Sequence, residues 1–174
     1  MAAGRTYTPI GTTTLSTAST TVTFSSIPQT YTDLVLVGNF ATGANAGAQT
    51  IYYYNGVTTG NPYSTTEMYG TGSSAASSRF TSQNQIWFTS GVGSGATLGQ
   101  TNATIHIMNY ANTTTNKTSL HRQNSLSATY PGTVAGVGLW RSTSAITSVT
   151  IKGDTGSTTF SPGSTFTLYG IAAA

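Results

Sequence analysis

The stretch SSIPQTYTDLVLVG (residues 25–38) places a run of apolar residues directly behind a proline-broken, hydroxyl-rich segment. Its continuation, residues 34–40, is apolar at nearly every position, which is typical of a central β-strand covered on both faces. Asp33 is the only charged residue between Arg5 and Glu67. The stretch therefore predicts a buried strand in a sheet whose surface has few charges.

Most of the chain alternates apolar and polar residues with a period of two, which predicts strands. Threonine and tyrosine suit a pleated surface, and no window has the 3.6-residue stripe of an amphipathic helix. The pair Asn55-Gly56 favours a type I′ turn. Eight or nine strands are predicted, within residues 21–24, 34–40, 49–54, 78–89, 103–110, 117–127, 133–141, 145–152 and 164–171.

The even spacing of these strands predicts an all-β fold, namely an antiparallel β-sandwich of jelly-roll type with no significant helix. We expect a single β-sandwich domain over residues 11–174, preceded by an N-terminal arm over residues 1–10. The Gly/Ser/Thr-rich residues 41–48, 56–77 and 90–102 are predicted to be long loops, which are the usual place for specific recognition.

Charge is scarce, since 5% of the residues are charged, compared with roughly 25% in an ordinary domain. The net charge is +3, and the six basic residues are scattered, so we expect no nucleic-acid partner. No apolar run approaches the roughly 20 residues of a membrane helix, and the amino terminus has no signal-peptide core. We therefore expect no membrane partner and synthesis in a cytoplasm. The chain has no cysteine for a disulfide or a zinc site.

The few titratable side chains do not match a known catalytic pattern. Glycoside hydrolysis needs two carboxylates about 5–10 Å apart, and we interpret Asp33 and Asp154 as residues at a strand start and in a turn. Glu67 falls in a predicted loop. A metal site at His106 or His121 would need two or three further ligands. We expect no enzyme activity, no catalytic residue, no metal and no cofactor.

The shortage of charges instead suggests an assembly. An open sheet edge presents unpaired N–H and C=O groups, and monomeric proteins protect such edges with lysine, inward charges or proline. This chain has few such residues, so we expect identical copies to cover its edges in a symmetric oligomer. Its abundant aromatic residues suit interfaces, although they could also fill a single core. With so few charges, we expect stability to vary little with salt, or with pH between about 5 and 9.

Four segments of the chain carry a resemblance to known proteins. They are FSSIPQTYTDLVLV (residues 24–37), NYANTTTNKT (residues 109–118), GLWRSTSAI (residues 138–146) and FTLYGI (residues 166–171). In this order they resemble a family of small structural proteins of tailed bacteriophages, abundant among phages of cyanobacteria and other aquatic bacteria. The resemblance implies a trimeric β-sandwich component of the virion, on the capsid surface or in a tail fibre.

We expect the chain to be a capsid decoration (cement) protein. It would be made in the bacterial host cytoplasm and bind the capsid surface as a homotrimer. There it would contact the major capsid protein and stabilise the capsomer contacts. Strand-like sequence begins by residues 7–10, which leaves little chain for the anchor and shaft of a fibre. Arg5, Tyr7 and Ile10 in the N-terminal arm are the candidate contacts with the coat or with a neighbouring subunit.

The alternative is a tail-fibre or receptor-binding tip domain that recognises a host surface glycan. Its candidate contacts lie in the predicted loop over residues 56–77, where aromatic rings could stack on a sugar and a carboxylate could accept hydrogen bonds. These candidates are Tyr63, Glu67 and Tyr69. The position and copy number of the protein on the particle would separate this alternative from decoration.

Overall fold

The computed structural model describes residues 6–42, 49–88, 101–126, 131–154 and 158–172, and these residues contain strands, turns and bends but no helix. Their strands all pair antiparallel. In chain order they are β1 (Tyr7–Thr14), β2 (Thr21–Phe24), β3 (Asp33–Phe40), β4 (Thr50–Tyr54), β5 (Tyr63–Gly70), β6 (Ala75–Gln83), β7 (Ile86–Trp87), β8 (Thr101–Met108), β9 (Lys117–Leu126), β10 (Pro131–Trp140), β11 (Val149–Gly153) and β12 (Thr165–Ile171).

Two sheets pack against each other. The large sheet has eight strands in the order β1-β12-β3-β8-β9-β10-β5-β6, and the small sheet has four in the order β2-β11-β4-β7. The core between them includes Leu36, Tyr52, Ile105, Ile151 and Phe166, all fully buried. The prediction of an all-β antiparallel sandwich is confirmed, whereas the finer jelly-roll classification stays a prediction.

The central strand β3 shows how the sequence fits this architecture. Leu34, Leu36 and Phe40 point towards the small sheet and are buried, as the period of two requires. On the opposite face Val35 is nearly buried but Val37 is 41% exposed. The expectation that both faces of this strand are covered is therefore wrong at Val37, because the small sheet covers only one face of the large one.

The predicted loop over residues 56–77 is wrong over half of its length. Residues 63–70 form β5, which pairs with β10 and β6, and β6 begins at Ala75. The predicted strand over residues 78–89 covers parts of two strands, β6 and β7. The chain bends near the end of β6, where Ser82 has a positive φ of 55°. The predicted turn at Asn55-Gly56 is confirmed, since both residues have positive φ values, of 52° and 69°.

The amino-terminal region contributes to the large sheet. Residues 7–10 lie at the start of β1, which pairs with β12, the last strand of the chain. The predicted arm over residues 1–10 thus overlaps an edge strand, and residues 1–5 lie outside the described residues. The predicted loops over residues 41–48 and 90–102 fall largely outside them too, except that Thr101 and Asn102 belong to β8.

Candidate interaction face

The side chains of the large sheet that point away from the small sheet form what we call the outer face. Because directly paired residues of antiparallel strands point to the same side, the register aligns them in rows across the sheet. One row across β3, β8, β9, β10, β5 and β6 consists of Val35, His106, Leu120, Val137, Thr66 and Arg79. The adjacent row consists of Val37, Thr104, Arg122, Ala135, Met68 and Ser77.

The outer face exposes apolar side chains. The large hydrophobic residues most exposed in the described part of the chain are Val37, Leu120, Val137 and Met68, at 41%, 47%, 45% and 66%, and Tyr7, at 56%. All of them lie on this face, where the Tyr7 ring meets the Tyr169 ring edge-on at 6.0 Å. The same face contains a concavity of about 670 Å³. Contiguous apolar surface of this kind marks an interaction site.

The charges on the outer face are mostly positive. Asp33 has one carboxylate oxygen 2.9 Å from His106 Nε2, and its other oxygen accepts a hydrogen bond from the Asn109 backbone N–H at 2.7 Å. This carboxylate is therefore engaged within the chain. Arg122 and Arg79 are exposed beside the apolar residues and belong to the two rows. The face thus combines an apolar centre with two guanidinium groups.

A buried polar cluster lies beneath this face, on the core side of the same strands. The Tyr52 hydroxyl lies 2.8 Å from Ser119 Oγ and 3.1 Å from His121 Nδ1. Burial lowers the pKa of His121 to about 4 and raises that of Tyr52 above its ordinary value. Glu67 on β5 and His121 on β9 are both paired in register with Gly136 on β10, the strand between them. Because Gly136 has no side chain, there is room for the imidazole.

This cluster contains a serine, a tyrosine and a histidine in hydrogen-bond contact, which are groups that can relay protons. Ser119 and Tyr52 are fully buried and do not line the concavity of the outer face, whereas His121 and Glu67 border it but are only 3% and 2% exposed. The arrangement gives the buried Tyr52 hydroxyl two partners, and burial holds the imidazole neutral. Among the described residues, no group of three or more His, Cys, Asp or Glu side chains could hold a metal ion.

The candidate contacts of the N-terminal arm fall in different environments. Tyr7 lies on the outer face and lines its concavity. Ile10 is partly buried and packs against the core. Arg5 lies outside the described residues. The structure thus brings one of the three to the apolar surface.

The candidate glycan contacts lie on β5, mostly inside the sandwich. The Tyr63 hydroxyl accepts a hydrogen bond from the Tyr54 backbone N–H at 3.1 Å, and burial raises its pKa to about 12. Glu67 is 2% exposed. Tyr69 is partly exposed, so it alone of the three keeps a surface available to a sugar.

The sequence reasoning missed Leu120, Val137, Met68 and Arg122, which form the centre of the outer face. A weak signal was present, because Leu120 is the one apolar residue among the polar residues 117–125 of β9. An isolated exposed apolar residue is normal, though. Only the register between distant strands shows that these residues are neighbours.

In the described residues, no helix has the length and apolar character to cross a membrane. A comparison with protein-family models found no match, and a comparison with curated proteins found no significant match. The fold and the outer face define the class: an antiparallel β-sandwich with large apolar side chains exposed on one face.

Proposed function

We propose that the chain is a structural protein of a bacteriophage particle, a capsid decoration protein that forms homotrimers on the head and contacts the major capsid protein. The observation that supports this best is the outer face, where the exposed large hydrophobic residues of the described chain gather on one side of one sheet. A surface of this kind favours permanent association over catalysis. The proposal includes no enzyme activity, no cofactor and no nucleic-acid or membrane partner.

The dimensions of the outer face suit such a role. Eight strands spaced about 4.8 Å apart, each about eight residues long at about 3.3 Å per residue, span roughly 34 by 26 Å. This is an area of about 900 Å², close to the roughly 800 Å² that each partner buries in a stable interface. A trimer would bind through three such faces at once, which raises its avidity for a shell without any new contact.

The strand order supports the jelly-roll expectation. The large sheet contains the four adjacent strands β1-β12-β3-β8, the small sheet consists of β2-β11-β4-β7, and the chain passes repeatedly between the two sheets. Jelly rolls are built from two such four-stranded sheets and occur in viral capsid proteins. The hairpins β5-β6 and β9-β10 extend the large sheet beyond this unit. They carry Met68, Leu120, Arg122 and Val137, so the added strands create much of the outer face.

The test is to localise and count the protein on purified phage particles by electron microscopy and quantitative mass spectrometry. Decoration predicts a large copy number, in threefold clusters on the head. A few copies at the tail would instead support the tail-fibre alternative, in which the domain binds a host glycan through Tyr69. If purified particles of the encoding phage lack the protein, the proposal is wrong.

A further inference from the structure

We infer that the outer face binds a segment of a different protein, one that presents carboxylates among apolar side chains, and not a second copy of this chain. The inference rests on the proposed function, which makes that protein the coat. It follows from the charges of the face and from the charges that another copy could bring to it.

The outer face offers two guanidinium groups to a partner. Arg122 pairs in register with Thr104 and Ala135, next to the exposed apolar residues, and it lines the concavity. Arg79 lies in the neighbouring row at the edge strand β6. A guanidinium group that loses water at an interface needs acceptors, and a carboxylate provides them in a bidentate geometry.

A second copy of the chain has no side-chain carboxylate ready for this contact. The whole chain has three acidic residues. Asp33 is held by His106 and by the Asn109 backbone N–H. Glu67 is 2% exposed and has an interaction of its own, and Asp154 accepts a hydrogen bond from Thr158.

Contact between the outer faces of two copies would therefore bring the guanidinium groups to a surface whose carboxylate, that of Asp33, is already held by His106 and by the Asn109 backbone N–H. A twofold arrangement of two outer faces would also bring the same cations into one interface. Loss of water from unpaired charges costs more than the burial of the adjacent apolar surface returns. The occupant that fits has apolar side chains for the concavity and carboxylates for Arg122 and Arg79.

The experiment uses the full chain and phage shells that lack the decoration protein. Arg122→Glu reverses one charge of the face, Arg122→Lys keeps it, and Lys152→Glu makes the same reversal on β11 of the small sheet. The double variant Leu120→Thr/Val137→Thr removes apolar surface with a residue that suits strands. For each protein, light scattering measures the subunit number, and co-sedimentation with the shells measures the affinity.

We expect Arg122→Glu and the double variant to lower the affinity for shells at least about tenfold while the subunit number stays that of the wild type. Arg122→Lys should bind more weakly than the wild type but more tightly than Arg122→Glu, because it keeps the charge and loses the bidentate geometry, and Lys152→Glu should bind like the wild type. Wild-type binding should weaken when the salt concentration rises.

Three results would overturn the inference. If Arg122→Glu binds shells as tightly as the wild type, the inference is wrong and the proposed function stands. If the outer-face variants lower the subunit number instead of the shell affinity, the face joins copies of the chain. If the wild type itself does not bind shells, the proposed function fails together with the inference.

Discussion

At the scale of single residues, the buried imidazole of His121 ties stability to pH. Its pKa is about 4 in the fold because of burial, compared with about 6.5 in the unfolded chain. The unfolded state therefore binds the proton first as the pH falls. The free energy of unfolding is therefore unaffected by this group above about pH 6.5 and falls as the pH drops towards 4. At pH 5 the loss is roughly 2 kcal/mol. Urea unfolding at about pH 7.5 and pH 5 measures this difference.

The sequence alone predicted that stability varies little between about pH 5 and 9, and the buried imidazole corrects this prediction at its acidic end. Glu67 faces the imidazole from across Gly136 and belongs to the same buried cluster. The variant His121→Gln should lose most of the pH dependence, whereas His106→Gln, on the outer face, should keep it. If His121→Gln loses as much free energy of unfolding as the wild type between about pH 7.5 and pH 5, another group causes the pH dependence.

Gly136 is required by packing. A Cβ atom at this position would lie 2.3 Å from His121 Nε2 and 3.1 Å from the Thr66 carbonyl oxygen. We expect Gly136→Ala to cost about 1–3 kcal/mol of unfolding free energy, because the imidazole would have to move within a packed core. Thermal or urea unfolding measures the change. Gly11→Ala is the matched control, since its Cβ would meet nothing closer than 3.5 Å, and an equal loss in both variants would contradict the packing argument.

At the scale of elements, the turn after β4 anchors the segment that leads into β11. Asn55 Oδ1 accepts hydrogen bonds from the backbone N–H groups of Thr147 and Ser148, at 2.8 and 3.1 Å. Its Nδ2 donates to the Ala145 carbonyl oxygen at 2.8 Å. Asn55→Ala loses these bonds and also strains a residue with positive φ, so we expect a cost of about 2–4 kcal/mol in urea unfolding.

The variant Asn55→Gly separates the two contributions. Glycine adopts the positive φ of 52° without strain but makes no side-chain hydrogen bond. We expect it to be more stable than Asn55→Ala by about 1 kcal/mol and still less stable than the wild type. Equal stability of Asn55→Gly and the wild type would mean that the side-chain hydrogen bonds of Asn55 contribute nothing net.

Most elements that the sequence predicted well have apolar residues at their core positions, and β9 is an exception, because its buried positions Lys117, Ser119, His121 and Gln123 are polar. Residues 21–24 match β2, and the predicted strand over residues 164–171 differs from β12 by one residue. The strand β5 was missed because two of its inward positions, Thr65 and Glu67, are polar, so hydropathy does not alternate. A proline and a glycine obscured β1, which is an edge strand where Pro9 is tolerated.

The candidate site was harder to predict than the fold. The outer face is a property of six strands in register, and β5 lies beside β10 in the sheet although the two are far apart in the sequence. Within each strand, an outward Leu120 or Val137 is unremarkable. The sequence did indicate that the surface has few charges and is suited to association, but it could not say which face is apolar.

At the scale of the whole molecule, a surface with so few charges should make stability insensitive to ionic strength. Asp33 and His106 form an ion pair when the imidazole is protonated, and this pair is partly exposed. Exposed pairs contribute at most about 1 kcal/mol, and salt screens them. Between about 50 and 500 mM NaCl at about pH 8, the unfolding temperature should change by less than about 2 °C. The variant Asp33→Asn, which removes the ion pair, should show an equally small change. Differential scanning calorimetry measures this, and a shift above about 5 °C would reveal ionic interactions that this surface does not provide.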